Sequence, residues 1–283
     1  MQAQKISRFG IAFGVPMLLA LLCVTWTPAG PASPLKTSLF HASVPATSPI
    51  TLEVPILLYH QIGGGRSKYN LPVRDFAEQM KYLAGHGYVT VSIDQVAAAL
   101  RGQRALPPCP IAITFDDGYR SAYANALPIL QQFGLRATFY LVTGYISHTM
   151  AYMNWDQARN LIAKGMWVGS HSVSHPFLAR LARTPAQHQI DDSKSILEAQ
   201  LGISITTFAY PYGSMRPSVE RAVEDAGYAA ALWTGHGARQ TSDQIYQMKR
   251  IGVYSPITLA YFIARLPRHG PDGVGACPIV PSS

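Results

Sequence analysis

Two carboxylates stand side by side in Thr114-Phe115-Asp116-Asp117-Gly118, directly after the apolar run IAITF. Adjacent acids at a strand end repel each other. A metal cation relieves that repulsion by taking one acid as a ligand, while the other stays free to accept a proton. The same residues also suit a plain Asp-Asp-Gly turn, with Asp117 capping the next helix. A second segment, His171-Ser172-Val173-Ser174-His175, follows the run MWVGS. Histidines at i and i+4 share one face of a helical turn, so two neutral imidazoles can serve one metal ion. Two surface histidines placed by chance would look the same. One Asp and two His leave coordination positions open for water and substrate, the pattern of a catalytic rather than a structural site.

Two more polar segments end apolar runs. Phe208-Ala209-Tyr210-Pro211-Tyr212-Gly213 contains a Pro-Tyr-Gly turn that can aim a backbone N–H at a substrate oxygen, as an oxyanion donor does. It can equally do no more than stop a strand. Leu57-Leu58-Tyr59-His60 closes the first apolar run. A lone histidine is more often structural, but at this position it could protonate a leaving amine and complement an aspartate base. Trp155, Trp233 and Tyr210, with Pro211 beside it, are candidates for a sugar-binding groove, and core packing explains each of them as well.

These segments need a scaffold that brings strand ends together. Short apolar runs at 54–59, 111–115, 137–142, 167–169, 206–210, 228–233 and 250–254 read as strands. Helical spacing or capping signals mark 72–86, 92–100, 123–133, 155–163, 185–201, 217–226 and 258–265. The β-α alternation, about seven times over roughly 220 residues, implies parallel strands with crossover helices. A doubly wound sheet and a barrel both fit, and a barrel puts its functional residues at the C-terminal ends of its strands.

Composition sets the outer limits. With 48% hydrophobic and 13% charged residues, the 283-residue chain is not mainly disordered. Three cysteines exclude a disulfide-built scaffold, although Cys109 and Cys277 could pair in an oxidising compartment. The net charge of +8 comes from dispersed basic residues with no Lys/Arg tract, which argues against a nucleic-acid partner. Lys5 and Arg8 precede an apolar stretch from Phe9 to Trp26, followed by small residues up to Ala29. That order reads as a secretory signal or an N-terminal membrane anchor, and Pro16 inside the run favours cleavage. Residues 1–29 are therefore expected to serve export, to the periplasm or the cell surface. Residues 30–50 read as a Pro/Ser/Ala-rich linker, 51–268 as the folded domain and 269–283 as a tail. Without residues 1–29 the net charge is +6.

The TFDDG, HSVSH and PYG segments, in this order, resemble the polysaccharide deacetylases with a NodB-type domain, carbohydrate esterase family 4. The resemblance covers about residues 52–266. It implies a single distorted (β/α) barrel of seven strands and removal of acetyl groups from sugar polymers with a divalent metal: zinc first, with cobalt, nickel or iron as alternatives. By matching position, Asp116 would be the general base, Asp117, His171 and His175 the metal ligands, and the Tyr212 N–H an oxyanion donor.

The chain departs from the family pattern twice. The usual arginine before the PPYG-type turn is replaced by Ala209, and the usual C-terminal Leu-x-x-His is absent, while Leu57-Leu58-Tyr59-His60 lies at the N-terminal end. Both departures resemble the circularly permuted poly-β-1,6-N-acetylglucosamine deacetylases of biofilm systems. That branch implies His60 as general acid and a partner in polysaccharide export machinery. Arg250, in KRIGV, is then expected to take the missing arginine's place beside Asp116. The competing expectations are a peptidoglycan or chitooligosaccharide deacetylase, a metal-dependent phosphoesterase, and a non-catalytic polysaccharide-binding barrel.

Overall fold

A computed structural model describes residues 48–267. The expected apolar leader, most of the linker, the tail and Cys277 lie outside the described residues. Among the described residues, no helix is long and apolar enough to cross a membrane.

Eight strands build the main sheet: β1 (Ile56–Tyr59), β2 (Val89–Thr90), β3 (Pro110–Phe115), β4 (Thr138–Leu141), β5 (Trp167–Ser170), β6 (Thr207–Ala209), β7 (Ala230–Leu232) and β8 (Ile251–Gly252). Seven lie in the order β7-β6-β5-β4-β3-β1-β8, with β2 attached to β3, and every pairing is parallel. The last strand of the chain thus lies beside the first. The curl closes through the segment before β8, where Ala231 and Trp233 N–H donate to the carbonyls of Ile245 and Met248, and Arg250 N–H donates to Gly235. This is the distorted barrel expected from the sequence. Strand β2 is absent from the expected set; Val89 is exposed and Thr90 half-buried, so it forms no buried apolar run.

Helices α1 (Val73–Gly85), α2 (Ile93–Leu100), α3 (Leu127–Gln132), α4 (Trp155–Ala163), α5 (Arg183–Leu201), α6 (Pro217–Asp225) and α7 (Leu259–Ala264) alternate with the strands. Ser92 and Asn154 open α2 and α4 with reciprocal capping boxes to Gln95 and Gln157, which satisfies orphan N–H groups at each start. One π-helical turn, Ala122–Ala126, precedes α3. Pro128 has no N–H to return to the carbonyl of Ala124, so a regular first turn is unavailable.

Strand residues of opposite parity enter two cores. Leu57, Ile113, Phe115, Phe139, Leu141 and Phe208 pack under helix residues such as Phe76, Leu161 and Ile190. Ile56, Ala112, Tyr140, Ala209, Ala230 and Leu232 form the inner cluster, plugged by Ile93, Val96 and Leu100 of α2. The inner face is crowded: a Cβ on Gly169 would stand 2.3 Å from the Tyr140 ring. That density fixes the strand ends on which the polar residues sit.

Candidate active site

The polar segments converge at the C-terminal rim. His60 follows β1, Asp116 and Asp117 follow β3, His171 follows β5, and the Pro-Tyr-Gly turn follows β6. They line one cavity of about 620 Å³ together with Tyr69, Tyr119, Tyr145, Tyr152 and Tyr254.

Asp117 Oδ1 lies 3.4 Å from His171 Nε2 and 3.2 Å from His175 Nε2, and the two imidazole nitrogens are 3.2 Å apart. Three donor atoms this close together could be shared by one divalent cation. His171 Nδ1–H donates to the carbonyl of Ala209 at 2.6 Å, which leaves the Nε2 lone pair turned to the cluster. Asp117 Oδ1 is buried and accepts no hydrogen bond. Burial would raise the Asp117 pKa, but His171 and His175 outweigh it and hold the carboxyl well below the usual range. Burial likewise opposes charge on His171, and the carboxylates of Asp116 and Asp117 outweigh it and raise the pKa. An orphaned carboxylate oxygen, two converging ring nitrogens and a field that favours positive charge suit a divalent cation.

The two histidines do not share a helical turn. Segment 171–175 is an irregular loop in which Ser172 (φ 70°) and His175 (φ 57°) both adopt the left-handed conformation. Ser172 Oγ accepts from His175 N–H at 3.0 Å and ties the loop back on itself. Asp117 is left-handed too, at φ 72°, and Asp116 Oδ2 and Asp117 Oδ1 both approach His171 Nε2, at 3.7 and 3.4 Å. Such strain in non-glycine residues persists only where surrounding contacts hold it.

Asp116 turns towards Arg250. Its Oδ1 and Oδ2 accept from the guanidinium at 2.7 and 2.8 Å, and Arg250 is 1% exposed. Burial works to raise the Asp116 pKa, and Arg250 and then His171 outweigh it, so the carboxyl stays ionised below its ordinary range. Arg250 does not stand at a C-terminal strand end. It precedes β8, and the register places Gly252 beside Leu58 and Leu58 beside Thr114. The side chain therefore climbs the inner face past Thr114 to reach Asp116. At the position where the resemblance expects arginine, Ala209 is fully buried in the inner cluster.

His60 sits against Tyr69, with ring centroids 4.8 Å apart, and its Nδ1 is buried without a partner. Burial lowers its pKa, and Asp116 and Asp117 offset part of that effect. Tyr212 is left-handed (φ 57°), its ring stacked on Phe177 at 4.0 Å and edge-on to His175 at 4.4 Å. Gly213 and Ser214 N–H close the turn on Tyr210 and Pro211, whereas Tyr212 N–H meets no backbone acceptor among the described residues.

Four residues expected near substrate lie elsewhere. Tyr210 and Pro211 are buried, Tyr210 among Phe208 and Tyr228, and Trp155 and Trp233 pack partly buried against the outer core. None of them lines the cavity. Its aromatic wall is instead tyrosine. Tyr119, Tyr145 and Tyr254 each come two to four residues after a strand, so their place in the chain carried the signal that the residue type did not.

A curled parallel sheet with an acid–imidazole cluster and a guanidinium-held carboxylate on its rim describes a barrel hydrolase. Residues 103–231 match the family model for polysaccharide deacetylase. The Bacillus subtilis protein YxkH, assigned by its name to the polysaccharide deacetylases, is 29% identical over 201 residues, 71% of each chain. A poly-beta-1,6-N-acetyl-D-glucosamine N-deacetylase of Staphylococcus aureus is 24% identical over 196 residues, 65% of this chain and 67% of the relative. The solved structure of the Streptococcus pyogenes deacetylase PplD in complex with acetate shares the fold at a TM-score of 0.71 and 23% identity, covering 77% of this chain and 99% of that one.

Proposed function

We propose that this chain is a metal-dependent polysaccharide N-deacetylase that removes acetyl groups from N-acetylglucosamine polymers, with poly-β-1,6-N-acetylglucosamine as the first substrate to test. The observation that carries the reading is the ionised, Arg250-gripped carboxylate of Asp116 beside the Asp117, His171 and His175 cluster. The similarity to the S. aureus relative over about two thirds of both chains supports the choice of polymer.

Asp117, His171 and His175 would hold the cation, zinc being the best fit to one oxygen and two nitrogens. When bound, it would polarise the acetyl carbonyl and acidify water. Asp116 takes the proton of the attacking water, and its salt bridge to Arg250 fixes both the charge and the direction of the accepting oxygen. Tyr212 N–H donates to the carbonyl oxygen as negative charge develops there. His60 gives a proton to the departing sugar nitrogen. The C–N bond breaks, and acetate and a free amine result. Lys5, Arg8 and the apolar run after them support the further reading that the enzyme acts outside the cytoplasm.

Acetate release from poly-β-1,6-N-acetylglucosamine, chitin oligomers, peptidoglycan and acetylxylan tests the reading. Fastest release from the β-1,6 polymer is the expected result. Faster release from peptidoglycan or chitin would reassign the polymer, and release from none would leave a polysaccharide-binding barrel.

A further inference from the structure

The loop that carries the second imidazole is held from outside the cavity. Gln189 lies on α5, and its Oε1 accepts from Val173 N–H at 3.1 Å, from Ser174 N–H at 2.9 Å and from the Ser174 hydroxyl at 3.2 Å. One amide oxygen thus takes three donors from the two residues between Ser172 and His175. The other side of the loop rests on the chain after β4, where Thr143 and Gly144 N–H donate to the carbonyls of Ser172 and Val173 at 3.2 and 2.8 Å. That approach requires glycine, since a Cβ on Gly144 would stand 2.7 Å from the Val173 carbonyl oxygen.

Helix α5 is itself registered to the sheet. Ser193, one turn after Gln189 and on the same helix face, shares a buried 2.7 Å hydrogen bond with Ser170, the last residue of β5. The loop leaves β5 at Ser170 and is caught again by α5 at Gln189. The distance between those anchors sets where His175 emerges. Two non-glycine residues in the left-handed conformation would relax without such anchors.

We propose that Gln189 is a positioning residue for the metal site: its side-chain oxygen holds the 173–174 backbone so that His175 Nε2 completes the cluster with Asp117 and His171. The proposal rests on the metal-binding reading above. Its consequence is a loss of cation affinity on removing an atom that touches neither the cation nor the substrate. Partners that orient metal ligands are worth about 10- to 100-fold in affinity.

The test is a competition titration of purified full-length variants with a chromogenic chelator, using zinc, together with the visible spectrum of the cobalt-loaded protein. Gln189→Ala and the near-isosteric Gln189→Met should bind zinc about 10- to 100-fold more weakly, with a changed cobalt spectrum. Gln189→Glu keeps an acceptor at the same place and should bind like the parent. The melting temperature of each metal-free variant reports folding separately, and Gln189→Met decides the matter if Gln189→Ala does not fold. Parent-like zinc affinity in Gln189→Met would overturn the role of Gln189 and leave the metal site standing, as would equal loss in Gln189→Glu and Gln189→Met. A parent protein that binds neither ion would overturn the metal site and the role of Gln189 together.

Discussion

The guanidinium of Arg250 grips both carboxylate oxygens of Asp116 at 2.7 and 2.8 Å across 134 residues of sequence. The pair is bidentate and buried, so it fixes the plane of the carboxylate as well as its charge.

Arg250→Ala removes the group that outweighs burial at Asp116. The pKa of Asp116 then rises, and since a base works only when ionised, the acidic limb of kcat/KM moves to higher pH. In the parent the depressed pKa stabilises the fold above the ordinary carboxylate range, and this contribution fades as the pH drops through the lowered value. At neutral pH the variant, left with a buried unpaired carboxylate, should lose about 3–5 kcal/mol in denaturant unfolding. An unmoved limb with undiminished turnover would refute the pairing's role.

Asp116→Asn keeps the shape of the side chain and removes the base. Bound metal, measured by elemental analysis, should match the parent, while acetate release falls by about 10²- to 10⁴-fold. Retained turnover would reassign the base.

Asp117→Ala and His175→Ala each leave two of the three ligand atoms. Both should purify with little metal and little activity. Chelation should silence the parent, and added zinc or cobalt should restore it. Activity that survives exhaustive chelation would exclude metal dependence.

His60→Ala should separate amide from activated ester. A sugar amine must be protonated to leave, whereas a nitrophenolate leaves unaided. Deacetylation of the polymer should therefore drop about 10²-fold or more, with a much smaller loss on nitrophenyl acetate. Equal losses on both substrates would assign His60 to orienting substrate rather than to proton delivery.

The parts of this site that were legible in the sequence are those set by local rules. Asp116, Asp117, His171 and Tyr212 all follow apolar runs that become strands, and parallel strands bring their ends together without further information. Seven strands could be read because each is a compact apolar run. The dihedral angles of Ser172 and His175 could not, because they depend on Gln189 and Gly144, which local pattern does not connect to HSVSH. Trp155 and Trp233 misled for a related reason. Aromatic type is shared by core and groove, and only the turn of the chain around each residue decides which face it meets.

The pairing of β8 with β1 ties chemistry to chain completion. During synthesis the three positions proposed to hold the metal, 117, 171 and 175, emerge long before residue 250. A partly made chain could gather a cation, yet its Asp116 would lack the cation that orients it and the strand that seats His60 would lack a neighbour. On the proposed mechanism, hydrolytic competence requires the last stave to dock, a contact between distant parts of the chain. A truncation that spares every metal ligand but ends before Arg250 should be inert.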